Sequence, residues 1–264
     1  MNVFKAVIKT VLTASLLLSA QVASANQLDA IKESGVLKVA VPQDFPPFGS
    51  VNINLQPQGY DIDMAQYLAD QMDVKLELVP VTSANRIPYL QTRKVDLVIS
   101  SLGKNPERER AIDFTDAYAP FFLGVFGSDA ETVASPEELA GKTVGVTRGS
   151  VEDIELSKLA PKGTTLKRYE DNNATLSAYL SGQVSLIATG NLVVTEIANR
   201  NPTKAPQVKF MLKDSPCYIG IKKGDTELLD KINVLIKQAK SQGELRTSLR
   251  SGLRRHSQLH LALN

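Results

Sequence analysis

Apolar runs of strand length alternate with amphipathic runs of helix length, and the alternation occurs twice. LKVAV (Leu37–Val41) stops at Pro42, and Gln43–Ser50, rich in proline and glycine, reads as a loop. Asp61–Met72 carries Ile62, Ala65, Leu68, Ala69 and Met72 at helical spacing. Lys75–Val81, Ile87–Thr92 and Asp96–Ser100 then read as strand, short helix and strand. The pattern restarts with a short helix at Pro136–Ala140, a strand at Thr143–Thr147 and a helix at Val151–Leu159. A helix over Tyr169–Leu180 leads into a strand at Val184–Ala188, and Glu227–Ser241 is a late amphipathic helix with Leu228, Ile232, Leu235, Ile236 and Ala239 on one face. Such alternation folds into a mostly parallel sheet covered on both faces. The 264-residue length suits two α/β lobes of ordinary size.

The first residues are read as processing signal. Lys5 and Lys9 precede the apolar run Val11–Ala20, which is too short to span a bilayer, and Ala23-Ser24-Ala25 fits a small-x-small cleavage site. A signal peptide at 1–25 and an exported chain beginning at Asn26 are therefore expected. The single cysteine, Cys217, excludes an internal disulfide, and its apolar setting suits a small buried hydrophobe. His256 and His260 stand alone near the end, and there is no metal-ligand or nucleophile motif, so neither metal nor cofactor is expected. The formal net charge of +2 is carried by the two ends, since the last twenty residues hold four arginines and no acid. The body is mildly acidic, which argues against nucleic acid as a partner.

Ligands of open α/β sheets bind beyond the C-terminal ends of the strands. One such end reads DLVISSLGKNPERER (Asp96–Arg110), where Ser100, Ser101 and Gly103 follow the strand and Arg108 comes shortly after. Hydroxyls and free N–H groups hold a carboxylate there, and arginine clamps it with two parallel bonds. The second half offers Thr147-Arg148-Gly149-Ser150 at a strand end that opens a helix, again suited to an anion. Two such ends facing across a cleft enclose a small anion. A surface pairing of Arg108 with Glu107 or Asp113 is the plainer alternative.

GYDIDMAQYLADQM (Gly59–Met72), VDLVISSLGKNPERERAIDFT, GKTVGVTRGS and YIGIKKGD together resemble the periplasmic solute-binding proteins of amino-acid ABC transporters, the bacterial extracellular solute-binding proteins of family 3. The resemblance covers about Leu28–Glu244. Ser83-Ala84-Asn85-Arg86-Ile87-Pro88 resembles the corresponding element of the glutamate/aspartate-binding subgroup. The resemblance implies a type II two-lobe binding-protein fold with the ligand cleft between the lobes. Lobe one would take 26–120 and the return segment 217–264, and lobe two 121–216. By resemblance, Arg108 would clamp the α-carboxylate with Ser101 and the Gly103 backbone, and Arg86 would meet a side-chain carboxylate with Ser83 nearby. Phe45 would line the first-lobe wall, or be plain core. Gly149, Ser150 and Val151 would supply amides from the second lobe. The expected partners are a small amino acid or dicarboxylate and the membrane permease of an ABC importer, with a monomer in the periplasm. Hinge segments are expected near Ala119–Phe122 and Val208–Ile219.

Several positions depart from the family. Its last second-lobe ligand strand usually ends in aspartate, which binds the α-ammonium; here Gly190 stands there with Asn191 beside it. Asp171 and Asp153 are possible substitutes, or else the ligand lacks an ammonium. Ser83 replaces a stacking aromatic, Pro42 a charged contact and Val151 a threonine. The tail 245–264 is basic, lacks the family's tryptophan and is atypical. A dehydratase related to arogenate or prephenate chemistry also uses this architecture, and Glu152 or Asp153 would be the acid it needs. A sensory module docking on a membrane receptor is a third possibility.

Overall fold

The computed structural model describes residues 26–243. The expected signal segment, the two histidines and the basic tail lie outside them. Two five-stranded sheets share one plan. In the first, helix α1 (Gln27–Ser34) precedes β1 (Val36–Pro42), which lies parallel to both β5 (Lys75–Val81) and β6 (Leu97–Leu102). Strand β13 (Tyr218–Lys222) runs antiparallel to β6 and to β7 (Ile112–Phe114), giving the order β5-β1-β6-β13-β7. In the second, β9 (Thr143–Thr147) lies parallel to β10 (Thr165–Tyr169) and β11 (Leu186–Gly190). Strands β8 (Phe122–Gly127) and β12 (Gln207–Asp214) extend it antiparallel, giving β10-β9-β11-β8-β12. A small antiparallel sheet of β2 (Asp44–Phe45), β3 (Gly49–Val51) and β4 (Pro57–Gln58) occupies the segment that composition reads as loop.

Helices cover the sheets where the apolar faces require it. In α2 (Tyr60–Gln71) the buried face holds Ile62, Met64, Ala65, Leu68 and Ala69. The late helix α8 (Thr226–Gln242) buries Leu228, Ile232, Leu235, Ile236 and Ala239, the face its periodicity predicts. It returns to the first lobe, where Asn26 Nδ2 donates to Glu227 and Tyr67 Oη to the Leu235 carbonyl at 3.4 Å. The remaining helices are α3 (Arg86–Gln91), α4 (Pro106–Ala111), α5 (Val151–Leu159), α6 (Asn172–Leu180) and α7 (Asn191–Arg200), with short 3-10 turns at Pro136–Leu139 and Pro202–Lys204. Tyr169 closes β10 rather than opening α6, and β11 starts two residues later than the apolar run suggests.

The chain passes between the sheets twice. Residues Tyr118 to Phe121 lead out of the first sheet, and Ser215 to Cys217 lead back. The two crossings lie side by side, bridged at Ala119–Cys217, with Tyr118 N–H donating to the Cys217 carbonyl at 2.8 Å. Cys217 is fully buried there. The lobes are drawn together: Asp44 of the first accepts from the Asn172 N–H at 2.7 Å and from its side-chain amide at 3.1 Å. Lys213 Nζ of the second lobe donates to the Lys104 carbonyl at 3.0 Å.

Candidate functional site

The first lobe's half of the cleft begins at the end of β6. Ser101 sits with φ +40°, a left-handed backbone that a serine adopts only when its surroundings hold it. Asp61, in the first turn of α2, is the holder. Its carboxyl accepts from the Ser101 N–H at 2.8 Å and from the Tyr118 hydroxyl at 2.6 Å. The Tyr118 ring stacks on Tyr60 at 5.7 Å. Asp61 is completely buried, and burial outweighs both hydrogen bonds, so its pKa is pushed up to about 7. Two residues beyond Ser101 the chain reaches Gly103, and Asn105 then caps α4 by accepting from the Arg108 N–H at 2.8 Å, with Pro106 in the first helical turn.

That cap aims Arg108 back into the cleft. The side chain is only 5% exposed, and its Nη1 donates to the Gly103 carbonyl at 3.0 Å while Nη2 crosses to the Gly149 carbonyl of the second lobe at 3.1 Å. It is therefore not a surface partner of Glu107 or Asp113. Arg86, at the start of α3, is equally buried, and its Nε has no hydrogen-bond partner among the described residues. Burial brings the Arg108 pKa down to about 10, with Arg86 adding to the effect. Burial lowers Arg86 too, offset first by Asp44 and then by Asp61 and Glu152. With its pKa at about 10, Arg108 remains charged at neutral pH. Two buried guanidiniums lining one cleft favour an anion between them.

The second lobe meets them with the N-terminus of α5. Gly149, at φ +72°, turns the chain so closely past Ala84 that a Cβ there would lie 3.2 Å from the Ala84 Cα. Ser150 caps the helix through its hydroxyl, which accepts from the Asp153 N–H at 3.1 Å. The amides expected to face the ligand are partly occupied within the chain. Gly149 N–H donates to Asp153 Oδ2 at 3.0 Å, and Ser150 N–H to the Thr147 carbonyl at 3.1 Å. Glu152 follows, 6% exposed, its carboxyl receiving bonds from its own N–H and from Ser150. Burial raises its pKa, against the pull of those bonds and of Arg86 and Arg108.

A cleft lies between these halves, walled by both lobes. Phe45, Ser83, Arg86, Ser101, Gly103 and Arg108 line it from the first lobe, and Ser150 and Val151 from the second. Of the other two expected residues, Gly149 offers its carbonyl to Arg108, and Asn191 turns away, its Oδ1 accepting from the Phe122 N–H at 3.1 Å. Five further residues line it: Phe121, Leu123, Asn172 and Ser215, which the sequence does not single out for the ligand, and Glu152, which it offers only as a candidate acid. The Ser215 hydroxyl has no partner among the described residues. Neither Asp153 nor Asp171 lines the cleft. Asp153 is engaged by Arg168 at 2.8 Å as well as by Gly149, and Asp171 caps α6. Gly190 has a plain steric cause: a side chain there would collide with the ring of Phe121, which sits edge-on to Phe48 at 5.1 Å and to Phe45 at 6.2 Å. Of Asp153 and Glu152, the two candidate acids, Glu152 alone lines the cleft.

Two lobes of this plan, joined by paired crossings and shut on a cation-lined cleft, define a two-lobe solute-binding protein. The chain belongs to the bacterial extracellular solute-binding proteins, family 3, whose model matches residues 37–251. Among its relatives, a putative ABC transporter arginine-binding protein of Escherichia coli is 29% identical over 80% of this chain and 88% of its own length. An ABC transporter glutamine-binding protein of Bacillus subtilis is 29% identical over 83% and 81%. Among solved structures, a cysteine-binding protein from Campylobacter jejuni superposes with a TM-score of 0.81 at 28% identity, covering 88% of this chain and 94% of its own. An ancestral amino acid-binding protein, a precursor of cyclohexadienyl dehydratase, superposes with a TM-score of 0.76 at 31% identity, covering 86% and 99%. The chain is the substrate-binding component of an amino-acid ABC transporter.

Proposed function

We propose that the protein captures a polar or acidic amino acid in the exported compartment and delivers it to the membrane permease of its importer. The observation that carries this reading is the pair of buried guanidiniums, Arg86 and Arg108, in a cleft lined by one acid. An α-carboxylate fits at Arg108, Ser101 and Gly103, and a second acid group at Arg86 beside Ser83. The lobes close about the crossings at 118–121 and 215–217, and the bonds that Arg108, Asp44 and Lys213 make between lobes hold the shut form. A thermal-shift panel of amino acids and dicarboxylates tests it. A ligand at about a hundred times its dissociation constant stabilises by about 2.7 kcal/mol, an increment that is easily read. Arginine and histidine should leave the melt unmoved while glutamate, aspartate or an uncharged polar amino acid raises it. A panel in which only cationic amino acids act would refute the acidic reading.

A second reading rests on Glu152. A buried carboxyl with a raised pKa facing a ligand cleft is what a general acid needs, and the likeness to a dehydratase precursor gives it a fold-level analogy. It makes the protein a dehydratase-like enzyme acting on an amino-acid derivative or dicarboxylate. Turnover of arogenate or prephenate that disappears in Glu152→Gln would support it, and binding without turnover would dismiss it.

A further inference from the structure

The signs of charge in the cleft are unevenly shared between the lobes. Both cations, Arg86 and Arg108, stand on the first lobe, and the acid that lines the cleft, Glu152, stands on the second. The end of β11 contributes no charge, because Phe121 fills the space that a Gly190 side chain would need. Asp153 and Asp171 are spent on Arg168, Gly149 and the α6 cap. Asp61 lies beneath Ser101, committed to that N–H and to Tyr118. Asp44 is committed to Asn172 across the lobes. Glu152 is thus the one carboxyl among the lining residues that can meet a positive group on a bound molecule.

Resting on the acidic reading of the cleft above, we infer that Glu152 receives the ligand's ammonium, so that the site is specific for an acidic α-amino acid with its two carboxylates on Arg108 and Arg86. The charges match one for one: two guanidiniums and one carboxylate face two carboxylates and one ammonium. Burial favours such matching, since an unpaired buried charge loses its hydration without recompense. The orphaned Arg86 Nε is the donor left for the second carboxylate. The raised pKa of Glu152 belongs to the same picture: burial disfavours its charge despite the pull of Arg86 and Arg108, and a ligand ammonium beside it adds to that pull. Because the arginines and Glu152 sit on opposite lobes, a ligand bearing both signs is held by both lobes at once. A molecule bearing only acid groups is held by the first lobe and repelled by Glu152 on closing.

Calorimetry on wild type, Glu152→Gln and Glu152→Asp, with L-glutamate, L-aspartate and their deaminated counterparts glutarate and succinate, tests the assignment. Wild type should prefer the amino acid over its deaminated counterpart by on the order of 100-fold. Glu152→Gln should erase that preference, weakening the amino acid and leaving or improving the diacid. Glu152→Asp, which keeps the charge, should keep the preference at lower affinity, a result that loss of folding alone cannot produce. Equal or tighter binding of glutarate or succinate by wild type overturns the assignment, as does a preference that survives in Glu152→Gln. If none of the four binds to folded wild type, the acidic reading itself fails and this assignment with it. That failure is distinct from diacid binding, which would leave the arginines in place and remove only the role of Glu152.

Discussion

The two lobes are built on one sheet plan and finish it with opposite chemistry. At the end of β6 the first lobe forces Ser101 into a left-handed turn, pins it with Asp61, and aims Arg108 inward from a capped helix. At the ends of β9 and β11 the second lobe spends its amides on Thr147 and Asp153, closes Gly190 with Phe121, and leaves Glu152 facing the cations. A shared scaffold therefore says where a site lies and nothing about its charge. The charge is decided by a few side chains at strand ends, and it is segregated between the lobes.

The contrast is most sharply broken at Arg108. Arg108→Ala removes the proposed carboxylate clamp and the bond to the Gly149 carbonyl at once. It should cost about 2–5 kcal/mol of binding, read as ligand affinity by calorimetry. Gly190→Asp tries to give the second lobe a β11 acid. The new side chain meets the Phe121 ring, and the expected loss is about 1–3 kcal/mol of stability, read as a lowered melting temperature. Adding Phe121→Ala should make the double variant less destabilised than the two single losses summed, because the pair shares one space.

Asp61 sharpens the first-lobe side through pH. Its pKa is 3.8 in the ordinary state and about 7 when folded, so between those values the native protein keeps a proton that the unfolded chain has released. Stability from this group is complete below about pH 4 and is lost as pH rises through 7. Melting curves of wild type and Asp61→Asn across pH 4–8 should show the falling component in wild type alone. The smallest effect is expected at Arg148, whose bond to Glu170 at 2.9 Å is exposed on both sides. Arg148→Ala should change stability by less than about 1 kcal/mol and leave ligand affinity unchanged.

The first lobe was the more legible in sequence, for a physical reason. Its candidate site residues follow one buried strand within a few positions, so Ser101, Gly103 and Arg108 are marked by the end of an apolar run. The helix faces of α2 and α8 were readable from period alone, since burial on one side leaves no alternative spacing. The second lobe hides its determinants. Glu152 is offered by the sequence only beside Asp153 as a candidate acid, and the fold alone tells the two apart. Phe121 reads as hinge or core until its ring is seen against Gly190. Ser215 comes from the return crossing, far from any motif. Strand β10, TLKRY, was missed because an edge strand with lysine and arginine lacks the apolar content of a central one.

The central claim is that the two first-lobe arginines hold the acid groups of one ligand. Titrating L-glutamate and L-aspartate into wild type, Arg86→Ala and Arg108→Ala by calorimetry tests it most directly. The expected result is saturable single-site binding to wild type with a loss of about 30-fold or more in each variant. Undiminished affinity in either variant, with its melt intact, would contradict the claim.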